Sequence, residues 1–136
     1  MAHTKIEEIE GIGPVLGEKF RNAGITSTEK LLEAAQTPGQ RAQLAETTGI
    51  SQEMILKFAI MADLFRIHGV GQEYAELLEA AGVDTVPELA QRNAENLTQK
   101  MEQVNEAKHL TRRTPTAAEV EKWVAEAKTL PRALEY

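Results

Sequence analysis

IEGIGPVLGEKFRNAGITSTEKLL at residues 9–32 and IHGVGQEYAELLEAAGVDTVPELA at residues 67–90 are one pattern written twice. Gly11, Gly13, Ala23, Gly24 and Leu31 fall on Gly69, Gly71, Ala81, Gly82 and Leu89 without a gap. The remaining apolar pairs match in kind: Ile12 with Val70, Phe20 with Leu78, Ile25 with Val83. A long internal repeat of this sort decides the architecture before any single motif does. Each copy sets a Gly-apolar-Gly turn between helical stretches, which suggests two phosphate-type hairpins.

Working outward, apolar spacing and cap signals predict helices throughout. Ile6 and Ile9 share a face of a short first helix that Gly11-Ile12-Gly13 breaks. Pro14 is placed as a first helical residue, where its missing N–H costs nothing. Val15, Leu16, Phe20 and Ala23 form the stripe of the next helix, and Gly24 stops it. Thr26 with Glu29 reads as a capping box, as do Thr85 with Glu88 and Thr116 with Glu119. Thr37-Pro38 opens a helix that Gly49 closes. Ser51 opens a long one through Met54, Ile55, Phe58, Met61, Ala62 and Phe65. In the second copy, Gln72–Ala81 is helical and Gly82 ends it. Asn93 caps a helix through Leu97, Met101, Val104 and Leu110. The polar link TRRTP follows, and the last helix carries Val120, Trp123, Val124 and Ala127 on one face. Phe58 and Trp123 are equivalent, in LKFAIMADL and EKWVAEAKTL. No stretch alternates with the period of a strand, so the expected fold is all-α, with about nine or ten short helices. The two ends, MAHTK and PRALEY, read as frayed.

The unit IEGIGPVLGEKFRNAGITSTEKLL followed by TGISQEMILKFAIMA resembles the N-terminal helix-hairpin-helix domains of archaeal recombinases. As a whole, the paired arrangement is similar to a bacterial family known as domain of unknown function 4332. The resemblance implies two tandem helix-hairpin-helix repeats, SAM-like five-helix units fused into one compact body. Their expected bounds are 1–66 and 67–130, sharing the helix near 52–67, with a tail at 131–136.

The chain has 136 residues, 42% hydrophobic and 26% charged, with no cysteine. That excludes a disulfide framework, a thiolate zinc site and a cysteine nucleophile. With aromatics at 4%, the core must be made of Leu, Ile, Val, Met and Ala. No apolar run approaches the ~20 residues of a membrane span. Nor does the start of the chain carry the apolar run of a signal peptide, so a cytoplasmic location is expected. The net charge is −6, and a strong non-specific nucleic-acid binder usually shows a basic face. Only local patches can supply one.

In the families resembled, the Gly-apolar-Gly turn presents backbone N–H groups at a helix start, where they hold a DNA phosphate. The candidate residues are then Gly11, Ile12 and Gly13 in the first turn and Gly69, Val70 and Gly71 in the second. Ile12 and Val70 point into the core and pin their turns. Lys19 and Arg21 support the first, and Lys19 occupies a position often basic in DNA-binding members. Glu7, Glu8, Glu10 and Glu18 crowd it. The second turn is poorer, with Glu73, Glu76 and Glu79 against Arg66 and His68. The most basic stretch is KHLTRRT, where Lys108, His109, Arg112 and Arg113 could pair with phosphates or with an acidic protein. Arginines there could equally bridge to nearby glutamates.

His3, His68 and His109 are scattered, without metal-ligand spacing, and no nucleophile-base constellation has motif support. Tyr74, Phe65 and Trp123 read as core rather than stacking platforms; Met54, Met61 and Met101 read as core fillers. No cofactor, metal or small-molecule substrate is expected. The reading is a non-catalytic module, not an enzyme, that makes weak, sequence-independent contacts with the DNA backbone. The alternative is a protein-interaction or assembly module. Of the two turns, Gly11–Gly13 is the better supported, with residues 108–113 a separate candidate.

Overall fold

The computed structural model describes residues 5–135. His3, the other residues of 1–4 and Tyr136 lie outside them. Among the described residues there are eight α-helices, one 3-10 turn at Ile6–Glu8, and no strand beyond an isolated bridge between Lys5 and Ser27. The helices are α1 Pro14–Asn22, α2 Thr28–Ala34, α3 Pro38–Thr48, α4 Gln52–Leu64, α5 Gln72–Ala80, α6 Val86–Ala90, α7 Ala94–Lys108 and α8 Ala117–Ala127. The all-α expectation holds. No helix is long and apolar enough to cross a membrane among those residues.

The chain divides into two compact units. Unit 1 comprises Met1–Asp63 with Ala133–Tyr136, and unit 2 comprises Leu64–Arg132. In unit 1 the fully buried Phe20 of α1 meets Phe58 of α4 edge-on, with ring centroids 6.2 Å apart and planes at 76°. Offset geometry of this kind adds about 0.5–1.5 kcal/mol to the burial of the rings themselves. In unit 2 the position of Phe20 is taken by Leu78, also fully buried. There the ring partner comes from one turn earlier: Tyr74 of α5 lies 5.3 Å from Trp123 of α8, at 54°.

The first glycine of each turn joins that aromatic in both units. Gly11 has φ +95° and Gly69 has φ +85°, a region costly for any residue with a Cβ. A Cβ built on Gly11 would stand 3.2 Å from Phe58 Cε1; one on Gly69 would stand 3.3 Å from Trp123 Nε1. The Phe58–Trp123 equivalence read from the sequence is therefore a shared contact. Gly24 and Gly82 follow their helices at φ +85° and +96°, as expected of stops.

Caps explain most boundaries. Thr37–Gln40 and Thr116–Glu119 form reciprocal capping boxes, and Asn93 accepts from the Asn96 N–H at 3.0 Å. Gly49 closes α3 at φ +75°, and the Ser51 hydroxyl accepts from the Met54 N–H at 3.2 Å. Two boxes differ from expectation. At α2 the cap is Ser27, not Thr26, and Ser27 accepts from the Lys30 N–H at 3.2 Å. At α6, Thr85 stands at the N-cap without a side-chain bond. Glu88 instead accepts from the Asp84 N–H at 3.3 Å.

Four apolar assignments also fail, among them Phe65, which lies beyond α4 and is only half-buried. Val15 is 70% exposed and Met54 41% exposed, both in the first turns of their helices and turned away from the core. Met61 and Met101 are buried as expected. Leu110 lies beyond α7, which stops at His109 in a left-handed conformation with φ +53°. The Asn105 side chain fixes that stop: its amide donates to the Thr111 carbonyl at 3.1 Å and its carbonyl accepts from the Thr111 N–H at 2.9 Å. A non-glycine stop of this kind has no conspicuous sequence mark.

Among the described closing residues, Leu134 and Glu135 are not frayed. Leu134 is buried at 2% exposure, and the Glu135 N–H donates to the Gln36 carbonyl at 2.7 Å. An apolar side chain with a place to go, and main-chain partners for its neighbour, outweigh the fraying usual at a chain end.

Candidate functional site

Both turns end on an N-cap glycine that supplies no side chain to the helix start. Gly13 stands at φ −90°, ψ −168° before α1, and Gly71 at φ −98°, ψ −165° before α5. These are extended conformations open to any residue. A Cβ at either position would meet nothing within 4 Å. Neither strain nor crowding therefore calls for glycine here. What the glycine leaves is bare backbone at the positive end of a helix, accessible from outside.

The two helix starts are not equal. Pro14 is the first residue of α1 and has no N–H, whereas Gln72 at the same place in α5 has one. The surrounding charges also differ. At the first turn Lys19 is exposed, with no ion-pair partner among the described residues. Arg21 is tied to Glu7 instead. That pairing lowers the Glu7 carboxyl, first through the side-chain hydrogen bond from Arg21 and then through a backbone hydrogen bond. A carboxylate this close cancels most of what Arg21 could offer a phosphate.

At the second turn the structure brings together what the sequence kept apart. A shallow, open cavity of about 370 Å³ on the surface of unit 2 is lined by Gly71, Gln72, Glu73, Tyr74, Arg112 and Arg113. The start of α5 and the two arginines of the α7–α8 link border one open depression. Arg113 is held by Glu119 through two hydrogen bonds, Nη1 to Oε1 at 2.9 Å and Nη2 to Oε2 at 3.1 Å. Arg112 is exposed, and no ion-pair partner for it occurs among the described residues. Glu73 is the opposing charge. Tyr74, expected in the core, is half-buried and forms part of the lining. Lys108 and His109 are exposed but are not among the lining residues.

Glu119 is the most perturbed carboxyl of the site, held down at about 2. The Arg113 hydrogen bond is the largest cause, followed by the Thr116 N–H. Its folded value lies below the ordinary 4.5, so its contribution to stability is complete above pH 4.5 and is lost as pH falls through about 2. Carboxyl-detected NMR titration should show Glu119 still ionised where free glutamates are half protonated. In Arg113→Ala its midpoint should rise toward the ordinary value; an unmoved midpoint would mean that Arg113 does not set it.

The family described as Domain of unknown function (DUF4332) matches residues 10–130. The chain belongs to that family. The matched stretch contains both turns, both aromatic contacts, the cavity and the Arg113–Glu119 pair, and it ends before Leu134. No curated protein and no solved structure matches the chain.

The link residues that line the cavity were visible as a basic stretch. Their meeting with Gly71 was not, because it depends on where α7 stops, and His109 and Asn105 set that. Sequence reasoning also missed Arg41, a buried arginine at 4% exposure, since nothing in the polar run of α3 marks one arginine as buried. Among the described residues no group of three or more His, Asp or Glu side chains could hold a metal ion.

Proposed function

We propose that the chain is a non-catalytic binding module of the helix-hairpin-helix kind that contacts the phosphate backbone of nucleic acid at its second turn. One observation carries this reading: the open start of α5 faces Arg112 and Arg113 across a shared cavity. Helix amides and guanidinium groups together are the chemistry that holds a phosphate. They read no base, so recognition is independent of sequence. The resemblance of both turns to helix-hairpin-helix modules supports the same assignment. The first turn takes the minor role, with Arg21 engaged by Glu7.

Affinity is expected to be modest. With Arg112 as the main neutralising group and Arg113 engaged by Glu119, the slope of log K against log salt should be about −1. Fluorescence anisotropy with duplex and single-stranded DNA at low salt is the test. The double variant Arg112→Ala/Arg113→Ala should lose binding, while Lys19→Ala should retain it. No binding at tens of micromolar protein, or binding indifferent to the double variant, would sink the proposal. Glu119→Gln provides a gain-of-function check. Glutamine preserves the capping box but releases Arg113, so binding should strengthen.

The second reading is a docking site for another protein. Glu73 in the cavity and the net charge of −6 favour it. Capture of a protein partner that survives Arg112→Ala/Arg113→Ala, with no DNA binding by the wild type, would move the assignment there.

A further inference from the structure

Unit 1 holds the C-terminal segment in the way a domain holds a peptide. Leu134 is the apolar anchor, at 2% exposure. The next residue is gripped by its main chain alone: the Glu135 N–H donates to the Gln36 carbonyl at 2.7 Å, and the Glu135 carbonyl accepts from Arg41 Nη2 at 2.6 Å. One side-chain pocket for specificity and main-chain bonds for affinity are the chemistry of extended-peptide capture.

The receiving corner is organised by contacts of its own. Arg41 Nη1 donates to the Ala35 carbonyl at 2.9 Å, a bond within the corner itself. Ala35 closes α2, and Thr37 opens α3 with its capping box, so the grip lies in a short corner tied at both ends. The segment itself arrives over exposed residues, Pro131 and Arg132. It also lies outside the stretch matched by the family, residues 10–130.

We propose that this corner is a peptide-docking site, filled in cis by the chain's own residues 133–135 as a releasable strap. When that strap is out, the site takes the same segment of a second copy. Exchange of an identical element is a low-cost route to a dimer, because every contact made in trans already exists in cis. The proposal stands on the strap geometry and is independent of the anion-binding reading.

The probe is a fluorescein-labelled peptide of residues 131–136, added to full-length protein. In the wild type the tethered strap competes at an effective concentration of about millimolar, so the peptide should bind at least about tenfold more weakly than to Leu134→Asp, whose own strap is disabled. A peptide carrying the same Leu-to-Asp change should not bind. Equal binding to both proteins, no binding to folded Leu134→Asp, or an unfolded Leu134→Asp would each overturn the proposal, the last because a strap must be dispensable to the fold. Wild-type hydrogen exchange gives a measurement free of mutation. The Glu135 amide should be protected yet exchange faster than the Leu31 amide; equal rates would mean that the segment cannot release. Sedimentation reads the occupant: wild type should form a dimer at high concentration and Leu134→Asp should not. A wild type that stays monomeric at every concentration would overturn exchange with a second copy.

Discussion

Phe58→Ala should lower the unfolding free energy by about 3–5 kcal/mol, a large share of the roughly 5–15 kcal/mol that native proteins possess. Phe58 is 2% exposed and meets Phe20, itself fully buried, edge-on. Truncation removes the burial of a ring, the edge-to-face contact and the surface on which Gly11 rests, at 3.2 Å from its Cβ direction to Cε1. Only an alanine-sized group remains, and the corner cannot collapse onto it without moving the first turn. Urea titration is the measurement. The midpoint should fall with the slope unchanged, the mark of lost stability without a change in the surface exposed. Phe58→Leu keeps most of the volume and should cost distinctly less. A loss under about 1 kcal/mol for the alanine variant would contradict the core position of the ring, since surface changes fall within about 0.5 kcal/mol.

The legibility of this fold follows from the range of each signal. Glycine stops, proline starts and Thr-x-x-Gln/Glu boxes act within four residues. Gly24, Gly82, Gly49, Thr37 and Thr116 were therefore readable one by one. Where two neighbouring hydroxyls competed, at Thr26 and Ser27, local chemistry was ambiguous and the structure chose Ser27. At Thr85 the box failed although its residues were present, and the Glu88 carboxylate serves the Asp84 N–H instead. The repeat carried information over a longer range. Pairing Phe58 with Trp123 across the repeat matched two rings that the structure sets against the turn glycines, a contact the sequence did not show.

Contacts between distant segments were not legible. Arg112 and Arg113 were visible as charges, but their distance from Gly71 depends on a left-handed histidine at residue 109 and an asparagine clasp. The pairing of Arg21 with Glu7 and of Arg113 with Glu119 also required coordinates, because glutamates crowd both regions and the sequence cannot say which one is in reach. The strap was the largest omission. A short terminal segment with one leucine has no pattern, and its partner is a main-chain carbonyl together with an arginine in another helix. Short-range chemistry thus determined the elements, and the cavity was assembled by the link that returns from α7 to the turn.

The two glycines of the second turn should respond in opposite ways. Gly69→Ala forces a Cβ into a backbone with φ +85°, and places it 3.3 Å from Trp123 Nε1. The left-handed conformation alone costs about 1–2 kcal/mol for an alanine, and the indole must also give way. Thermal unfolding should shift down accordingly, while DNA affinity, measured well below the transition, should stay near the wild-type value. Gly71→Val is the converse. Its φ of −98° and ψ of −165° suit a β-branched residue, and a Cβ there meets nothing within 4 Å. The loss of an N-cap glycine is largely offset by the reduced freedom of the unfolded chain, so stability should change by less than about 1 kcal/mol. Yet the new side chain stands between the α5 amides and any phosphate, and binding should fall several-fold or vanish. Melting curves and anisotropy on the same two proteins separate the roles. Wild-type affinity in Gly71→Val would leave Arg112 and Arg113 as the whole site and remove the helix start from it. Wild-type stability in Gly69→Ala would mean that the turn relaxes freely, and its contact with Trp123 would then not be what holds it in place.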